Sequence, residues 1–131
     1  MVPGWHIENN ENSVEWAIRE VKEETWIDVK LFSFIHKKHK VSDAKWLLPA
    51  EYYYEQIIPW NKKEEEHCHL DFTYLAFASN WELKINLRET KDLKWIELDK
   101  SLTLDTFDWT KYIINDLISK LDSETILYEE K

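Results

Sequence analysis

Two runs, Trp5-His-Ile-Glu-Asn-Asn-Glu11 and, seven residues later, Arg19-Glu-Val-Lys-Glu-Glu-Thr-Trp-Ile27, decide how this chain folds. Asn12 followed three residues on by Glu15 is a capping-box signature, and Val14, Ala17, Ile18 and Val21 recur at helical spacing. A helix is therefore predicted to open at Asn12. Positions three and four apart are neighbours on a helix, so Glu20, Glu23 and Glu24 share one patch on the flank of the apolar stripe. Like charges at that spacing destabilise a bare helix. A hard divalent cation, which prefers oxygen ligands, resolves the conflict better than a merely solvated acidic face does.

These residues resemble the Nudix hydrolase superfamily. Its box runs Gly, five residues, Glu, seven residues, then Arg-Glu-apolar-any-Glu-Glu-any-Gly-apolar, a pattern that fixes many positions across more than twenty residues. Glu11, Arg19, Glu20, Val21, Glu23, Glu24 and Ile27 match at the box spacing, whereas Trp5 and Trp26 stand where its two glycines belong. The resemblance implies an α+β fold, an α/β/α sandwich with a mixed central sheet between helices, over residues 1–131 as one domain. It also implies a Mg²⁺ (or Mn²⁺) cofactor held by Glu20, Glu23, Glu24 and the backbone carbonyl of Trp5. Glu20, Glu23 and Arg19 are then the catalytic set, with Arg19 orienting the carboxylates and Glu11 as its partner. Members of the superfamily normally carry several strands before the box, while this chain opens on Met1-Val2-Pro3-Gly4 at the loop entering it. The expectation is an N-terminally truncated domain whose uncovered sheet edge invites self-association, which makes a homodimer the candidate protein partner.

Composition narrows the function classes. With 131 residues the chain is one domain by length, and 44% apolar content is enough to bury a core. A formal charge of -9 lacks the basic footprint that phosphate-backbone binding needs, so long nucleic acid is not expected as a partner. Cys68 is the single cysteine, which excludes an intrachain disulfide. No apolar run reaches the length of a membrane span or signal-peptide core, and the expectation is a cytoplasmic protein with no membrane partner.

One glycine beside eight tryptophans is the composition's oddest feature. Average usage of about 7% predicts about nine glycines in a chain this long. Trp60 after Pro59 and Trp81 after Asn80 join Trp5 and Trp26 at turn or cap positions where glycine is the usual choice, whereas Trp95 sits in an ordinary place for tryptophan. Position 26 in particular is expected to adopt a left-handed conformation.

Further along, alternation predicts a strand over Ile27 to His36, and β-formers predict another over Tyr52 to Ile58. The basic, irregular stretch between them reads as a surface loop. In His67 to Ala76, period two puts His67, His69, Asp71 and Thr73 on one face and Cys68, Leu70, Phe72 and Tyr74 on the other, the second read as the core face. A zinc site is disfavoured because the cysteine lies opposite the two histidines. The stretch also looks like a strand that lines the substrate cavity in some bacterial Nudix proteins, which makes His69 and Asp71 substrate-binding candidates. Leu83 to Leu87 reads as a strand by alternation, Lys94 to Asp99 resembles the family's late short strand leading to a final helix, Asp105 to Leu121 reads as a helix packed on the sheet, and Thr125 to Lys131 as a frayed polar tail.

Two function classes follow. The first is an enzyme, a Mg²⁺-dependent pyrophosphohydrolase acting on a small nucleotide, a nucleoside diphosphate linked to another moiety. The second is a catalytically inactive Nudix-fold binding or regulatory module, for which the substituted glycines speak and against which the intact glutamate triad speaks. An isopentenyl-diphosphate isomerase-like activity is a weaker third, resting on Cys68 alone.

Overall fold

The computed structural model describes residues 10–84 and 93–130. Helix α1 spans Ser13–Thr25 and opens as the sequence predicts. The Glu15 amide donates to Asn12 Oδ1 at 2.9 Å, and the Asn12 amide donates back to Glu15 Oε1 at 3.3 Å. The box satisfies amide donors that a helix start otherwise leaves open, and it fixes the phase of every residue downstream.

At its other end the helix stops on Trp26, whose φ of 65° and ψ of 14° are left-handed. Among the described residues other than glycine, only Asn10 shares a positive φ. A side chain with a Cβ there costs about 1–2 kcal/mol. Offsetting contacts hold the turn nonetheless. The Trp26 amide reaches Lys22 O at 2.9 Å, and its carbonyl accepts from Lys22 Nζ and Asn80 Nδ2, each at 3.2 Å. The indole itself lies against solvent with the ammonium groups of Lys84 and Lys22 at 4.8 and 5.6 Å from the ring centre.

Strand β1 (Val29–Ser33) is the middle of a three-stranded antiparallel sheet, with β4 (Leu75–Ala78) on one side and β5 (Tyr128–Glu129) on the other. Strands β2 (Tyr52–Ile58) and β3 (His67–Thr73) form a second, two-stranded antiparallel sheet. Phe32, Phe34 and Leu75 make the buried cluster, and Tyr52, Ile126 and Leu117 pack against it. Leu117 belongs to helix α2 (Asp108–Ser123), so the apolar stripe of that helix does pack on the sheet. Leu31, which alternates with Phe32 and is as deeply buried, points to the opposite face of β1, and α1 also packs on this strand. The result is an α+β fold in which β1 carries both layers. A short 3₁₀ turn at Lys100–Thr103 precedes α2.

Four expectations need correction, and each has a physical cause. β1 ends at Ser33 rather than at His36 because the Ser33 hydroxyl captures the amides of Ile35 and His36, at 3.1 and 2.8 Å, and turns the chain out of the ladder. The tail is not frayed: Tyr128 pairs with Ser33, Glu129 with Phe32, and the Glu130 amide donates to Leu31 O at 2.9 Å. Residues 93–98 form no strand; the Trp95 indole instead donates to Trp81 O at 2.8 Å. The predicted strand Leu83 to Leu87 lies for the most part outside the described residues.

The fourth correction concerns β3, whose two faces are exchanged. Leu70 and Phe72, read as core, are 55% and 49% exposed, and Cys68 is exposed as well. Directly paired residues of an antiparallel ladder lie on the same face, and Tyr54 pairs with Asp71 and Gln56 with His69. On that face Tyr52 bonds to Asp116 of α2 and the Tyr54 ring meets that of Trp109 at 5.6 Å. The tyrosines of β2 thus decide which side is covered, and the polar residues of β3 follow by register.

Candidate functional site

The capped start of α1 and the stitched turn at its end aim one side of the helix. Four described residues meet there. Arg19 donates to Glu11 with two nitrogens, Nε to Oε2 at 2.7 Å and Nη2 to Oε1 at 3.1 Å, the bidentate fork that makes the strongest carboxylate pairing. The same guanidinium reaches Glu20 Oε1 at 3.2 Å and Glu23 Oε2 at 3.0 Å. Glu11 therefore braces an arginine that stands between the acidic side chains of two successive helical turns. Its hydrogen bond to Glu11 is the main reason that Arg19 holds its proton even more firmly than a free arginine; burial opposes this, and Glu23 adds to it.

The carboxylates differ in exposure. Glu20 is buried, Glu24 half-buried and Glu23 exposed, so the patch runs from the interior of the fold to its surface along one helix. That gradient suits a group that must be held on one side and admit a ligand from the other. Trp5, expected to add a backbone carbonyl, lies outside the described residues. Among the described residues no three His, Cys, Asp or Glu side chains converge as a metal cluster. By donor chemistry Glu20, Glu23 and Glu24 nonetheless fit a hard dication, being oxygen ligands at helical spacings that bring side chains together.

His69 and Asp71 are not on the helix but on β3, in the two-stranded sheet. Asp71 is half-buried, and its Oδ2 is enclosed without a hydrogen-bond partner among the described residues. His69 is exposed, with Nε2 at 2.9 Å from Nε2 of His67. The link from this sheet to α1 runs through Tyr74, just beyond β3, whose hydroxyl donates to Ser13 Oγ at 3.0 Å.

Two polar groupings escaped the sequence reading. Glu51 is buried and accepts from the Ser33 hydroxyl at 2.9 Å and the Phe34 amide at 3.2 Å. Tyr52 donates to Asp116, which also pairs with Lys120 at 3.1 Å. Burial, and then the hydrogen bond to Asp116, push the Tyr52 phenol well above its ordinary range; the Tyr52 bond, with Lys120 behind it, holds the Asp116 carboxyl below its own. The bonds of Glu51 to Ser33 and Phe34 and of Tyr52 to Asp116 carry no sequence signal, because those partners lie 17 to 64 residues apart; Asp116 and Lys120 are an i,i+4 pair on α2.

An α+β fold whose first helix gathers glutamates around a braced arginine defines the class of a Nudix domain. The chain belongs to the Nudix hydrolase family: the NUDIX domain matches residues 2–117, which take in α1, both sheets but for β5, and part of α2. No curated protein matches it. Among the described residues no helix is long and apolar enough to cross a membrane.

Proposed function

We propose that this chain is a Mg²⁺- or Mn²⁺-dependent hydrolase that cleaves the pyrophosphate linkage of a nucleoside diphosphate joined to another moiety. The observation that carries the reading is the Arg19 cluster on α1, with Glu11 bracing the guanidinium and Glu20 and Glu23 drawn to it. Glu20, Glu23 and Glu24 hold the dication, together with the Trp5 carbonyl. When bound, the ion neutralises charge on the diphosphate and acidifies a water.

The chain's own groups do the rest. Arg19, tied to Glu11, keeps the carboxylates in register and acts as a positioning residue. Glu20 is the group assigned to take a proton from the attacking water, as in some members of the superfamily. Asp71, with an enclosed oxygen lacking a partner among the described residues, and His69 bind the nucleotide on the β3 side.

The test is release of a nucleoside monophosphate and the phosphorylated second moiety from a panel of nucleoside-diphosphate compounds, with Mg²⁺ and with EDTA. Metal-dependent turnover of at least one compound is expected, and turnover undiminished by EDTA contradicts the reading. Tight nucleotide binding without turnover identifies the chain as a binding or regulatory module instead.

A further inference from the structure

Eight tryptophans and one glycine in 131 residues invert the proportions of an ordinary domain, which carries about 7% glycine. Where those tryptophans sit is as unusual as their number. Trp26 occupies the left-handed residue that ends α1, a position at which glycine alone avoids a clash of its Cβ. Trp60 and Trp81 lack a positive φ but follow Pro59 and Asn80 outside helix and strand, with 68% and 72% of their surface in solvent; Trp60 buries little of its size, and the Trp81 ring meets that of Trp95 at 4.7 Å. Trp16 and Trp109 show the opposite fault. Each encloses an indole N–H with no acceptor among the described residues, although a buried indole normally finds one.

Trp95 behaves otherwise. Its N–H is satisfied by Trp81 O at 2.8 Å. Independent drift at left-handed and turn positions would also draw on Asn, Asp, Ser and Ala, which tolerate such sites better than tryptophan does. A single replacing residue, at the expense of a single missing one, points to one cause acting on all the positions. The codon UGA supplies it: UGA is read as tryptophan in some genetic codes and as glycine in others, and it differs by one base from the glycine codon GGA.

We propose that positions 26, 60 and 81, together with 16 and 109, are glycine in the organism's own protein, and that tryptophan there is the product of reading UGA codons under a code that assigns them to tryptophan. Trp5, directly after Gly4, belongs to the same set by sequence, and Trp95 is a true tryptophan. Glycine at 26 lets α1 close on its natural cap without strain, whatever reaction the chain performs.

Sequencing the gene, with mass mapping of peptides from the protein made in its own organism, tests this. UGA at codons 26, 60 and 81, UGG at codon 95 and peptides carrying the residue mass of glycine are expected. UGG at codon 26, or the tryptophan mass in the peptide that spans it, overturns the proposal. In the recombinant chain Trp26→Gly is expected to raise Tm by roughly 2–8 °C while Trp95→Gly lowers it. A Trp26→Gly variant that melts no higher than the parent contradicts the strain assigned to that position.

Discussion

Glu20 and Glu51 are both buried carboxylates, at 5% and 8% exposure, and they are kept by opposite means. Glu20 faces a charge, the Arg19 guanidinium at 3.2 Å, which Glu11 and Glu23 also hold. Glu51 takes neutral donors, the Ser33 hydroxyl and the Phe34 amide, and ties the end of β1 to the start of β2. Either arrangement makes burial of a carboxylate tolerable, but only the first keeps the acid beside other acids and within reach of the surface. Under the proposed function, the difference separates a carboxylate kept for chemistry from one kept for the chain's own closure.

The largest effect that could break this contrast is on turnover. Glu23→Gln or Glu24→Gln is expected to lower kcat by at least about a hundredfold, because the lost charge acts on the transition state, with little change in melting. Steady-state release of nucleoside monophosphate and thermal denaturation of the same preparations check it. Full activity in Glu23→Gln would remove the helix from the reaction.

Glu51→Ala is expected to do the reverse. Removing the acceptor strands a buried hydroxyl and a buried amide and costs about 1–3 kcal/mol, read as a lower urea midpoint, while kcat of the folded protein stays within about twofold. A large loss of kcat with unchanged stability would move Glu51 into the chemistry and erase the distinction.

Tyr52→Phe sharpens the comparison on the neighbouring residue. Loss of the bond to Asp116 is expected to cost about 1–2 kcal/mol at neutral pH. The alkaline limb should change too. The Tyr52 pKa is raised on folding, first by burial and then by Asp116, so above about pH 10 the unfolded chain gives up this proton before the folded one. The unfolded state then binds fewer protons, and stability falls as pH rises towards the folded value; below about pH 10 the contribution is complete. Urea titrations from pH 8 to 11 should show a shallower decline in Tyr52→Phe. The smallest effect expected is in Asn12→Ala, which loses the α1 cap and about 1 kcal/mol.

The helix and its acidic patch were legible because their signals are local. Asn12 with Glu15, the apolar stripe and the Arg19-to-Glu24 run all act within two or three turns, and the left-handed conformation at Trp26 follows from its place at the helix end. β2 was legible from its β-formers alone. The covered face of β3 was not, because its own alternation favoured Leu70 and Phe72 whereas the contacts of Tyr52 and Tyr54 with α2 chose the other side. β5 was hidden for a similar reason: two residues of a polar tail become a strand only because β1 offers an open edge. Glu51 with its donors and Tyr52 with Asp116 depend on partners brought together by the finished fold.

The central claim is that the glutamates around Arg19 serve a metal-dependent hydrolysis, and a metal titration tests it most directly. Nucleoside monophosphate release from a nucleoside-diphosphate compound, measured as Mg²⁺ is added back to EDTA-treated protein, should rise from background and saturate in the parent chain. It should stay near background in Glu23→Gln, although that variant melts like the parent. Equal release from both chains, or release from the parent that is indifferent to Mg²⁺, would contradict the account.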